Sequence, residues 1–154
     1  MPTKPIDALA GVPNACQVLP HLVTGGQPSA EHFAALREAG VEVIIDLRDP
    51  MEPRPFDQPE LMRELGFEYV TIPVTPATMT RENLNRVLAA VREAAPRSML
   101  VHCASGNRVG GALYPWLVLD HGFSEEEATT AAMRMGLRSV EVLEWGKGGV
   151  GGRR

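Results

Sequence analysis

Short apolar runs alternate with amphipathic runs along the chain. Residues 41–47, Val-Glu-Val-Ile-Ile-Asp-Leu, are apolar enough to predict a strand buried on both faces. Residues 98–102 predict a second such strand, and residues 67–73 alternate as a third. Residues 16–24 predict one or two more. Helical periodicity fills the gaps. Ser29 caps a helix over 30–39 with Phe33, Leu36 and Ala39 on one face, and Gly40 ends it. The segment 49–59 holds four prolines and reads as a loop, followed by a short helix over 60–65 that stops at Gly66. Thr80 caps a helix over 81–95 that turns Leu84, Val87, Leu88 and Val91 inward. A tight loop after residue 102 leads to a helix over 109–121, with Leu113, Trp116 and Leu117 as core residues. Ser124 to Glu127 has the shape of a capping box opening a helix to residue 135, and residues 137–145 predict a last short helix. The glycine-rich end, residues 146–154, reads as a flexible tail, which leaves one domain over 1–145.

Strands alternating with helices imply βαβ units. The expected fold is α/β, a central, mostly parallel sheet of four to five strands flanked by helices. Ligands in such folds bind at the carboxyl ends of the strands. Two segments meet that condition: the loop after residue 102 and the loop that starts at Asp46.

Composition narrows the function. A net charge of −4 argues against nucleic-acid binding. No apolar run is long enough to span a bilayer, and residues 1–7 lack the apolar core of a signal peptide. Two cysteines, Cys16 and Cys103, make no disulfide framework and suit a reducing cytoplasm. His21, His32 and His121 show no metal-ligand spacing.

The chemistry concentrates in Val101-His102-Cys103-Ala104-Ser105-Gly106-Asn107-Arg108. A strand, a tight loop and a helix aim backbone N–H groups and a helix N-terminus at one point. A cysteine there sits where a thiolate nucleophile is expected. Gly106 suits a backbone that must turn with positive φ or approach an anion. The amides of Ala104, Ser105, Gly106, Asn107 and Arg108 would cradle an oxyanion, and the Arg108 guanidinium could hold two of its oxygens. His102 fits an orienting role better than that of a base. Cys16 has no such neighbourhood and reads as a plain buried residue.

Over residues 14–135 the chain resembles the phosphatase-like domain of beta-lactamase-hydrolase-like proteins, nonclassical bacterial relatives of the protein-tyrosine and dual-specificity phosphatases. The resemblance rests on Gly26-Gln27-Pro28-Ser29, on Val43-Ile44-Ile45-Asp46-Leu47-Arg48 and on Ile72-Pro73-Val74. It continues through the loop from Cys103 to Arg108 and through Gly122-Phe123-Ser124-Glu125-Glu126-Glu127-Ala128. It implies a protein-tyrosine/dual-specificity-phosphatase-like fold and hydrolysis of phosphotyrosine-like or aryl phosphomonoesters, with no metal or cofactor. Cys103 would form a phosphocysteine, with Arg108 and the loop amides stabilising the transferring group. The implied partner is a phosphorylated small molecule or phosphoprotein.

Three departures from the wider superfamily keep other chemistry open. Four residues separate Cys103 from Arg108, where tyrosine phosphatases have five, and this spacing is similar to rhodanese-type sulfurtransferases. Val109 stands where a Ser or Thr often helps the thiolate leave, which suggests slow breakdown of a phosphocysteine. No acid follows Val74 in residues 75–79. Asp49, just past the neighbouring strand, is the best substitute general acid, ahead of Asp46, Glu52 and Asp57. Each of these also reads as a solvated loop carboxylate or a local cap. Arg48 and Arg54 would either attract phosphate or sit as surface charges. The alternatives are therefore a sulfurtransferase carrying a persulfide on Cys103, or a non-catalytic phosphate-binding module.

Overall fold

The computed structural model describes residues 4–151. Five strands, β1 (Cys16–Leu19), β2 (Leu22–Gly25), β3 (Val43–Asp46), β4 (Glu68–Thr71) and β5 (Met99–His102), form one sheet in the order β1-β2-β5-β3-β4. β1 runs antiparallel to β2, and the other pairings are parallel. The expected mostly parallel sheet is present, and its antiparallel member lies at one edge.

The alternation of side chains along the strands decides which layer each residue enters. Val43, Ile45, Met99 and Val101 point into the larger core. Ile44, Leu100 and Val23 point into the smaller one, against Phe33 and Leu36 of α1 (Ala30–Glu38) and Met62 of α2 (Gln58–Leu65). The larger core is closed by α3 (Arg81–Ala94), α4 (Asn107–His121), α5 (Glu125–Met135) and α6 (Val140–Gly151). α4 is buried continuously from Val109 to Leu117, which explains its apolar character all round.

Two boundaries moved for local reasons. α2 opens two residues early because Asp57 caps it and Pro59 fits its first turn. α4 opens at Asn107, so Arg108 lies in its first turn. A larger correction concerns the expected tail. Residues 146–151 belong to α6, and the remainder, 152–154, lies outside the described residues. Glycine here serves close packing. A Cβ on Gly146 would collide with the Gly111 carbonyl oxygen of α4, and one on Gly149 would sit 2.6 Å from Pro115. Val150 is buried against the larger core. Among the described residues no helix is long and apolar enough to cross a membrane.

The parallel register brings Gly25, His102, Asp46 and Thr71 onto one rung at the carboxyl ends of four strands. The loop from Cys103 to Arg108 and the segment that carries Asp49 and Glu52 both begin just beyond that rung.

Candidate active site

β5 ends at His102, and Cys103 follows with its side chain buried. Gly106 adopts φ 102°, ψ −14°, which reverses the chain and opens α4. That turn directs the Gly106 N–H onto Cys103 Sγ at 3.0 Å. A side chain on Gly106 would strike the Met135 carbonyl oxygen, so only glycine fits.

The loop is held from behind. Asn14 Nδ2 donates to the Ser105 carbonyl (2.7 Å), and the Gln27 amide donates to the Ala104 carbonyl (3.0 Å). The Cys103 amide donates to the Gly25 carbonyl, and Asn107 Oδ1 accepts from the Arg138 amide at 2.8 Å. With the carbonyls engaged outward, the amides of Ala104, Ser105, Asn107 and Arg108 find no acceptor among the described residues. Donors without a partner on such a loop are what an oxyanion needs.

Arg108 is fixed by Glu52. Its Nη1 and Nη2 donate to the two carboxylate oxygens at 2.6 and 3.0 Å, and Nη1 also donates to the Val74 carbonyl at 3.0 Å. Of the guanidinium's N–H donors, Nε–H and the second Nη2–H, on one edge, have no hydrogen-bond acceptor among the described residues. That free edge matches two oxygens of a tetrahedral anion. The Arg108 hydrogen bond holds the Glu52 carboxyl down at about 2, with the Asp49 amide and Arg48 adding to it and burial opposing. Burial works against the Arg108 charge, but Glu52 and Cys103 together raise its pKa above the ordinary value.

Beneath the loop lies a polar network with a donor for every acceptor. His102 is fully buried, and burial pushes its pKa down although Asp46 lies nearby. The separation from Asp46 Oδ1 to Nε2 is 3.8 Å, too long for a hydrogen bond. The neutral ring can thus donate from Nδ1 to the Cys103 carbonyl (3.2 Å) and accept at Nε2 from Gln58 Nε2 (2.9 Å). Gln58 Oε1 accepts from Gln27 Nε2 and from Arg54, while Gln27 Oε1 accepts from Arg48. Arg48 reaches Glu52 at 3.0 Å, which joins the network to Arg108.

The sequence-predicted residues separate accordingly. Cys103, the loop residues and Arg108 come together, and His102 supports the loop from below. Asp49 lines the cavity beside Arg108 and accepts the Met51 amide at 2.8 Å. Asp46 is instead buried in the network, bonded to Arg54, to Tyr69 and to the Arg48 amide. Asp57 is an exposed helix cap. Arg48 is buried with all three of its nitrogens bonded inside the network, and Arg54 joins the network through Nη1, so neither is a plain surface charge and neither lines the cavity beside Arg108. Cys16 lies buried on β1, where burial raises its thiol pKa. His32 belongs to the α1 cap, and His121 meets the Trp116 ring edge to face. Among the described residues no three His, Cys, Asp or Glu side chains are grouped to hold a metal. Sequence reasoning missed the roles of Gln27, Gln58 and Asn14; only the Gly26-Gln27-Pro28-Ser29 element hinted at the first.

The network gives a stability test. Asp46→Asn leaves Arg54 without its charged partner at a site with no exposure. Thermal unfolding should show a loss of about 2 kcal/mol, the scale of a hydrogen bond to a charged group. That corresponds to a Tm lower by roughly 4–8 °C in a chain of this size. An unchanged Tm would show that the network contributes nothing to holding the rung together.

A cavity of about 770 Å³ opens beside Arg108 and Asn107, walled by Met51, Pro53, Val74, Pro76, Met79 and Val142.

A family model described as DSP-PTPase phosphatase fused to NAD+ kinase matches residues 16–144. No curated protein gives a significant match. Among solved structures, the DUF442 protein of Shewanella putrefaciens CN-32 is similar with a TM-score of 0.80 and 23% identity, over 96% of this chain and 97% of that one. The core catalytic domain of the PP-IP phosphatase Siw14 of S. cerevisiae is similar with a TM-score of 0.74 and 18% identity, over 88% and 85% of the two chains. P. aeruginosa TpbA is similar with a TM-score of 0.71 and 16% identity, over 93% and 86%; a variant of it has been crystallised with pTyr. These likenesses establish a protein-tyrosine/dual-specificity-phosphatase-like fold.

Proposed function

The chain belongs to the DSP-PTPase phosphatase family fused to NAD+ kinase, and from that premise we propose that it hydrolyses aryl phosphomonoesters through a phosphocysteine. One observation carries the reading: Cys103 Sγ receives the Gly106 N–H at 3.0 Å inside a ring of amides that have no other partner among the described residues. The free edge of Arg108 completes that ring. With its oxygens on those amides and on Arg108, a bound phosphoryl group would have its phosphorus over Sγ.

The thiolate attacks phosphorus as the bond to the aryl oxygen breaks, and the leaving oxygen takes a proton from Asp49. Water then attacks phosphorus and passes a proton to the Asp49 carboxylate, the P–S bond breaks, and inorganic phosphate leaves with the thiolate and the Asp49 acid restored. Asp49 is the acid by position and by elimination. Glu52 is held ionised by Arg108, Asp46 is bonded within the network, and Asp57 caps α2. At the place after Arg108, the buried Val109 offers no hydroxyl to assist the thiolate, so breakdown of the phosphocysteine is the slow step. His102 positions the loop and takes no proton.

The four-residue spacing between Cys103 and Arg108 supports a second reading, sulfur transfer through a persulfide on the same sulfur. A side-by-side assay separates the two. The purified protein should release phenol from phenyl phosphate and form no thiocyanate from thiosulfate and cyanide. Thiocyanate without phenol would overturn the phosphatase reading.

A further inference from the structure

The cavity beside Arg108 is apolar on most of its wall, yet its charged lining residues are one arginine and three acids: Arg108, Asp49, Glu52 and Glu141. Glu52 cancels Arg108 in the bidentate pair, and Asp49 faces the leaving oxygen in the mechanism above. That leaves Glu141. It is exposed at the first turn of α6 and makes no salt bridge among the described residues. Its position relative to the loop is fixed. Asn107 Oδ1 accepts from the Arg138 amide at 2.8 Å, and Ser139 Oγ accepts from the Val142 amide at 3.3 Å. Ser139 and Val142, on either side of Glu141, also line the cavity. The segment carrying Glu141 is therefore tethered to the residue next to Arg108.

We infer that Glu141 sets the substrate class: a phosphomonoester on an apolar, aryl-sized body whose far end is cationic or neutral, to the exclusion of substrates bearing further anionic groups. This rests on the phosphatase reading. The reacting phosphate occupies the amide ring and the free edge of Arg108, and the aryl body lies along Val74, Pro76, Met79 and Val142. The remote end then meets Glu141. A second phosphate would find no further cation among the described residues that line the cavity, since neither Arg48 nor Arg54 reaches its wall. A polyphosphorylated polyol would also cover apolar wall with polar groups and leave them unpaired.

The test compares two phosphate esters matched in their phenols, with the remote charge insulated by two methylenes. These are phosphotyramine, which ends in an ammonium, and the phosphate of para-hydroxyphenylpropionate, which ends in a carboxylate. Phenyl phosphate is the reference. The native protein should prefer phosphotyramine by about tenfold in kcat/KM at low salt, the scale of one partly screened charge acting with opposite sign on two ligands. The preference should shrink as ionic strength rises. Glu141→Gln should bring the ratio near unity, and Glu141→Lys should invert it. Inositol hexakisphosphate should compete poorly. Hydrolysis of phenyl phosphate without discrimination, or discrimination that survives Glu141→Lys, would overturn the inference and leave the phosphatase reading standing. Failure to hydrolyse any of the three esters would overturn that reading and the inference with it. Equal loss of kcat on both charged esters in Glu141→Gln would make Glu141 a proton donor and also overturn the inference.

Discussion

Cys103→Ser is expected to reduce phenyl phosphate hydrolysis by on the order of 10⁴-fold or more, the scale seen when a covalent nucleophile is removed. The reason lies in what surrounds the sulfur. A thiolate needs only the field of the loop, whereas a serine hydroxyl needs a base within hydrogen-bond reach. The one imidazole in the neighbourhood cannot serve. His102 is fully buried, its Nε2 is taken by Gln58, and its Nδ1 lies against the Cys103 carbonyl. The variant keeps Gly106, Arg108 and the amides, so it should still bind vanadate and melt within a few degrees of the native protein. Phosphate release above about one part in a hundred of the native rate would remove Cys103 from the chemistry.

The interior of the fold was legible because local patterns report it. Val43 and Ile45 alternate with Ile44, and that alternation alone divides the two cores. Ser29, Thr80 and Ser124 are capping residues whose partners lie three positions away, so a short stretch of sequence contains the whole interaction. The meeting of Cys103, Gly106 and Arg108 was legible for the same reason, since one loop holds thiol, turn and cation.

What supports the loop was not legible, because it is assembled across the chain. Gln58 reaches His102 over 44 positions and Gln27 over 31, and no local feature of a glutamine announces such a partner. Glu52 sits among prolines and looks like an ordinary loop carboxylate until β3 and β5 bring it to Arg108, 56 positions later. The end of the chain failed differently. Glycine-rich sequence signals backbone freedom, and equally signals a helix that can approach another closely. Only the surface of α4, with Gly111 and Pro115 facing Gly146 and Gly149, decides between the two.

Arg108→Lys is expected to lower kcat/KM on phenyl phosphate by roughly 10²–10³-fold, the cost of one lost transition-state donor group. Charge is nearly the same in the variant, so the loss isolates geometry. Arg108 satisfies Glu52 and the Val74 carbonyl with three N–H groups and still presents an adjacent pair to the phosphoryl oxygens. A lysine ammonium has three donors on a single nitrogen. Glu52 and Val74 would claim them first, because Glu52 is held ionised and lies 2.6 Å from Nη1 in the native arrangement. Little then remains for the substrate, and the loss should fall more on kcat than on KM, since the equatorial oxygens gain most from the fork as the phosphoryl group transfers. Glu52→Gln sharpens the comparison. It leaves Arg108 in place with a weaker, neutral partner, so it should cost less than Arg108→Lys while still lowering kcat. If Arg108→Lys kept activity within threefold, point charge would suffice, and the ion pair with Glu52 would serve the fold rather than the reaction.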